Sequence, residues 1–225
     1  MRAWARVACG VALLAGSQAV AQEFVRAAGP LTDDDFYRAV ACAAPPGGAC
    51  AKPFLYWSES RRRDLTVGFA SLADGLPAYK RAGFDAALDG AIAEINGVGA
   101  DLRLVRTTEA PDIPIHVVET PPGHVMRDTG VPELDGAALP LGRVALKARD
   151  GTISEALIAV SMHARRREIA SVLLEEITQA LGLITDIKGD AVRRSLFSED
   201  GNSVTRLRGQ DRMALRRHYP PRPRT

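Results

Sequence analysis

Four polar side chains in one short stretch could do chemistry together: Glu175, Glu176, Gln179 and Asp186. Apolar residues at positions 169, 173, 177, 180 and 181 recur at helical spacing and mark a core stripe. On that helix Glu175 and Gln179 stand one turn apart and project together, as an i, i+4 ligand pair must. Glu176 points to the border between this polar face and the core. Gly182 should end the helix, and Asp186 follows four residues later. Two kinds of chemistry are open to such a set. Carboxylates held near one another can split their pKa values, so that one serves as acid and the other as base. Adjacent residues diverge on a helix, so Glu175 and Glu176 form a poor dyad unless Asp186 joins them. The same oxygens could also hold a hard cation such as calcium or magnesium. The competing, plainer reading is a solvated amphipathic face.

The spacing resembles that of a zinc-peptidase helix, HExxHxxGxxH/D. Glu175 stands where the first His ligand would be, and Gln179 where the second would be. Glu176 keeps the place of the general base, Gly182 that of the turn glycine, and Asp186 that of a third ligand. Zinc favours imidazole and thiolate, whereas a Glu/Gln/Asp set is all oxygen and its Gln is neutral. The expectation is no metal ligand, no zinc and no other cofactor. Glu176 is then a catalytic residue only if some other hydrolysis survives, and Glu175, Gln179 and Asp186 line a binding cleft. His116, His124, His163 and His218 form no HxH, HxxxH or HExxH pattern. Each reads as exposed or structural, with His116 or His163 left open as a residue that folds against the helix.

The elements around this helix follow from periodicity and turn chemistry. Thr32 before Asp33-Asp34-Asp35 predicts a capped short helix to about residue 40. Alternation of Leu65, Val67 and Phe69 predicts a strand over 64–70. Pro77 opens a long helix whose apolar positions include Phe84, Leu88, Ile92 and Ile95, ending at Asn96-Gly97. Strands over 101–106 and 112–119 follow, and Pro114 suggests that the second is an edge strand or carries a bulge. A Pro- and Gly-rich loop covers 121–139. Asp150-Gly151 then predicts a hairpin joining 143–148 to 152–162. The motif helix should run from about 164 to 182, and a last helix from about 210 to 218. Arg165-Arg166-Arg167 opposes the dipole at the helix start and is expected to pair with Glu168 and nearby acids.

Residues 1–21 read as a signal peptide: Arg2 and Arg6, an apolar run over 7–16, and the cleavage pattern Ala19-Val20-Ala21. Removing it takes away two arginines and no acid. The 29 Lys and Arg then fall to 27, equal to the 27 Asp and Glu. Overall charge therefore gives no case for nucleic acid or membrane as a partner. No apolar run is long enough to cross a bilayer. The mature chain is expected to be soluble and exported, periplasmic or extracellular. In that compartment Cys42 and Cys50 should form a disulfide. The domain reading is an N-terminal extension over 22–63 holding that disulfide, a main domain over 64–219 and a flexible tail over 220–225.

Two downstream segments carry a resemblance. Ser195-Leu196-Phe197 resembles the Met-turn of metzincins, with Phe197 in the methionine's place. Residues 207–219, ending in Tyr219, resemble the closing helix of matrixin-type metzincins. With the early cysteine pair, Trp57 and the string Glu-Glu-x-Thr-Gln-x-Leu-Gly-Leu, the chain is similar to an exported bacterial group, domain-of-unknown-function family 2927. The matches include Thr178, Leu181, Leu183, Asp211, Leu215, Arg216, Pro221 and Arg222, over about residues 34–222. Arg208, in place of a capping Ser or Thr, and His218, in place of an apolar residue, depart from the pattern. The resemblance implies an α/β (α+β) fold of zincin/metzincin type. It would have a small mixed twisted sheet, a long backing helix, an active-site-type helix and a C-terminal helix. Gly182, Phe197 and Tyr219 take structural roles in it. It implies no activity, since the family's own function is unassigned. The leading expectation is a pseudopeptidase with a degenerate zinc motif. It would hold an extended peptide or envelope protein between strand 152–162 and the motif helix. A hydrolase using Glu176 and an envelope assembly factor are the alternatives.

Overall fold

The computed structural model describes residues 24–201 and 203–222. The signal peptide expected over 1–21 and the last three residues of the expected tail lie outside them. Near the start, β1 (Phe24–Arg26) leads to α1 (Asp33–Cys42), whose first turn is capped by the Thr32 hydroxyl accepting from Asp35 N. After β2 (Tyr56–Trp57) and β3 (Leu65–Leu72), α2 (Ala78–Gly97) starts directly behind Pro77. Strands β4 (Leu104–Arg106) and β5 (Ile113–Val118) follow. The loop expected over 121–139 contains a short antiparallel pair, β6 (His124–Val125) with β7 (Ala138–Leu139). Met126, Leu134 and Leu139 pack there on Val118 and Ala159 as a small second core.

The hairpin β8 (Gly142–Arg149) and β9 (Thr152–Ser161) turns at Asp150 and Gly151, both with positive φ. β4, β3, β5 and β9 run parallel in that order, and β8 lies antiparallel to β9 at the edge. β9 has β8 along one side. On the other side it meets β2 at Thr152 and Ile153, and β5 from Ile158 onward. The place expected for an added peptide beside strand 152–162 is therefore filled by the protein's own strands, and the free edge belongs to β8. Pro114 also differs from expectation, since β5 is an interior strand. β5 meets β9 only from Ile115, so the missing N–H of Pro114 falls where only β3 is adjacent, and the bulge sits on β3 between Phe69 and Ser71.

The site helix, α3 (Ile169–Ala180), packs on α2, β8 and β9. It begins later than residue 164 because three arginines precede it. Glu168 instead accepts from Arg165 N at 2.9 Å and pairs with its guanidinium at 3.7 Å. β10 (Asp186–Lys188), a 3-10 turn over 190–192 and α4 (Gly209–His218) complete the order. The segment expected as an extension is part of the main body. β1 pairs with β10, α1 packs on α4, and one contiguous core runs from Val25 to Tyr219. Cys42 and Cys50 are disulfide-bonded. Among the described residues no helix is long and apolar enough to cross a membrane.

Candidate functional site

The carboxyl end of α3 is held by three side-chain bonds. Trp57 Nε1 donates to Ala180 O at 2.9 Å, Tyr219 Oη donates to Leu181 O at 2.7 Å, and Trp57 N donates to Tyr219 Oη at 3.1 Å. Carbonyls that a helix end leaves unpaired are thus satisfied from β2 and α4. Gly182 follows with φ +102, and a Cβ there would sit 2.0 Å from Leu55 O. Only glycine fits, which gives the turn glycine its structural role.

Below the helix, the turn at Ser195-Leu196-Phe197 fixes β10. Asp211 of α4 accepts from Ser195 Oγ at 2.6 Å and from Leu196 N at 2.9 Å, although burial pushes its carboxyl upward. Phe197 O accepts from Ile187 N at 2.7 Å, and the Phe197 ring meets Phe36 edge-on at 6.1 Å. This brace brings Asp186 against α3. Gln179 Nε2 then donates to Asp186 Oδ1 at 3.1 Å.

The resulting cluster is sealed. Glu176 and Gln179 are each 5% exposed, and Asp186 is 9%. Glu175 alone of the four is half-buried. A Cβ on Gly142, the first residue of β8, would lie 2.5 Å from Glu176 Oε1 and 2.6 Å from Val172 Cγ2. The β8 backbone therefore rests directly on the Glu176 carboxyl. Its other oxygen, Oε2, has no hydrogen-bond partner among the described residues.

Burial and then the charge of Asp186 hold the Glu176 carboxyl well above its ordinary range, with Arg143 opposing. Burial and Glu199 push Asp186 up to about 7, with Gln179 and Lys52 opposing. Two acids enclosed together in this way retain a proton at neutral pH, and Glu176 is the one that keeps it. Lys52 is set in place by the cysteine loop, since its own N–H bonds to Cys42 O at 3.0 Å. Lys52, Arg143, Glu199 and Gly142 were not singled out from the sequence. Only Gly142 left a local signal, a lone glycine opening a strand, which often marks a close backbone approach.

The histidines stay apart from this cluster. His116 Nδ1 pairs with Ser71 Oγ at 2.9 Å, His163 Nε2 with Glu119 O at 2.8 Å, and His124 with Pro122 O at 3.2 Å. His218 is buried and stacks on Tyr56 at 4.2 Å, with Nε2 bonded to Leu55 O at 2.8 Å. Burial lowers it to about 4, so it is a neutral ring that fills an apolar position. Among the described residues no three His, Cys, Asp or Glu side chains gather as a metal-holding group. In the places of the two helical ligands, Gln179 turns its amide nitrogen to Asp186 and Glu175 offers only oxygen. This donor set does not fit zinc.

Fold and site together define a mixed α/β protein whose site helix carries an enclosed carboxyl pair and no zinc-fitting donor set. Residues 73–225 match the family described as Protein of unknown function (DUF2927), and the chain belongs to that family. No curated protein matches it. Among solved structures it is similar to High choriolytic enzyme 1 (HCE-1), a hatching enzyme zinc-protease from Oryzias latipes (Medaka fish). The two are 14% identical with a TM-score of 0.28, over 58% of this chain and 53% of that one. The chain thus spans about half the length of that neighbour.

Proposed function

We propose that this is an exported protein that binds an extended peptide segment of an envelope partner and does so without zinc catalysis. One observation carries the reading: the two helical ligand places hold Glu175 and Gln179, while Glu176 is shut beneath Gly142. A reacting carbonyl has no open path to that carboxyl. The polar residues of the motif thus act as an internal brace between α3, β8 and β10, and binding falls to the surface above them. The candidate surface is the outer edge of β8, which pairs only with β9 and ends in the exposed residues Lys147, Ala148 and Arg149. Extended peptides dock on such edges through main-chain hydrogen bonds. Lys147 and Arg149 would discourage indiscriminate pairing while leaving the edge open to a matched sequence.

The test is site-specific photocrosslinking in the native host, with p-benzoylphenylalanine placed at Ala148 and, as control, at Tyr79, which is 64% exposed. A discrete adduct at Ala148 and none at Tyr79 is expected. Equal labelling at both positions, or none at Ala148, would count against the edge.

A second reading is favoured by one specific feature, the shared proton of Glu176 and Asp186. An enclosed carboxyl pair of this kind can serve as acid and base once substrate displaces the covering strand. It predicts peptide hydrolysis that survives chelators and disappears in Glu176→Gln. Chelator-sensitive hydrolysis, or hydrolysis unchanged in Glu176→Gln, would rule it out.

A further inference from the structure

We infer that a second binding site, separate from the carboxyl pair, takes an amphiphile with an unbranched alkyl chain and a single anionic head. Between α2, the first turns of α3 and residues 205–212 lies a cavity of about 630 Å³, within the size range of small-ligand pockets. Its floor is the exposed side of α2, where Ala86, Gly90, Ala93 and Gly97 contribute almost no side chain. Leu174 and Leu207 supply apolar walls.

The glycines are informative because a helix interior disfavours Gly relative to Ala. Elsewhere in this chain glycine is required by a close neighbour, as at Gly142 and Gly182. At Gly90 and Gly97 a Cβ would meet no atom within 4 Å. Nothing in the described chain occupies the room these positions leave. A smooth trough along a helix suits a chain of methylenes, which needs contact area and no hydrogen-bond partner.

Charge at one end selects the head group. Glu94 accepts from Leu207 N at 2.8 Å and lies 3.6 Å from Arg206, so that acid is already engaged. Arg212, exposed at the same end, bonds only the Val98 carbonyl, at 3.4 Å, and forms no ion pair among the described residues. One guanidinium is left uncompensated at the mouth. It would receive a carboxylate or a phosphate, and the page does not favour one of these over the other.

Isothermal titration of the purified mature protein, below the micellar range, tests the assignment with dodecanoate and dodecyl phosphate as probes. Saturable one-to-one binding of either is expected, weaker by about fifteenfold for the chain shortened by two methylenes. Gly90→Leu should fill the trough and weaken binding at least about tenfold without lowering thermal stability, because Leu is the better helix former. Arg212→Gln should weaken the anionic probes and leave dodecyltrimethylammonium unchanged. The assignment is overturned by no saturable binding, by equal affinity for the cationic probe, or by affinity unchanged in Gly90→Leu. It is also overturned if the free protein elutes as a dimer that Gly90→Leu dissociates, since a second copy would then cover the trough.

Discussion

Replacing Asp186 by Asn should make the protein more stable at neutral pH, and the size of the effect can be worked out from the site. The folded protein raises this carboxyl from 3.8 to about 7, with burial the main cause. Between those two values the native state holds a proton that the unfolded chain has released. Stability therefore falls as pH rises from about 4 to about 7 and is flat beyond. At 1.36 kcal/mol per pKa unit, the ceiling of this loss is about 4 kcal/mol. Asparagine keeps an acceptor for Gln179 and cannot ionise. It also removes the charge that helps to raise Glu176. Some of the gain is offset because Lys52 loses an opposing charge, so a net gain of about 2 kcal/mol at pH 8 is expected. His218 runs the other way. It is held near 4, so its burial costs stability as pH falls from about 6.5 towards 4. That slope is common to both proteins and cancels in the difference between them. Urea unfolding of wild type and Asp186→Asn at half-unit steps from pH 4.5 to 8 is the assay. The midpoints should converge in acid and separate by about 1 M at pH 8. Coinciding curves throughout, or a wild type that is more stable at pH 8, would refute the buried-acid argument.

Three further outcomes follow from the same contacts. Gly142→Ala drives a methyl onto Glu176 and Val172 and should cost about 2 kcal/mol. A double-mutant cycle with Glu176→Ala should recover about 1 kcal/mol of that. Asp211→Ala leaves the Ser195 hydroxyl and the Leu196 amide unpaired in a buried setting. A loss of about 3 kcal/mol in chemical denaturation is expected, against under about 0.5 for Asp190→Ala at the surface. Cys42→Ser opens a short loop and should lower stability by about 2.5 kcal/mol. Reductant should lower the wild type by a similar amount and leave the variant unchanged.

The features legible in the sequence were those decided by near neighbours. Asp150-Gly151 specified a hairpin because both residues accept positive φ, and Pro77 marked the start of α2 because its missing N–H costs nothing there. The cysteine spacing, the stripe of α3 and the turn at Ser195 were local in the same sense. What escaped notice depends on residues far apart in sequence. Nothing near Glu176 reveals that the β8 backbone at Gly142 covers it, or that Lys52 faces Asp186 from the cysteine loop. Helical spacing placed Glu176 and Gln179 on a polar face, and the same spacing is compatible with solvent or with an enclosed cluster. The strands laid over the helix decide between these. The pairing of β9 was hidden for a related reason, since its alternation shows that one face is covered and is silent on what lies along its edges.

The most direct test of the central claim is the zinc content of freshly purified mature protein after exhaustive dialysis at neutral pH, measured by inductively coupled plasma mass spectrometry. An α3 whose ligand places hold Glu175 and Gln179, with Gln179 bonded to Asp186, should retain under about 0.1 equivalent. One equivalent that survives dialysis and disappears in Glu175→Ala would contradict the account.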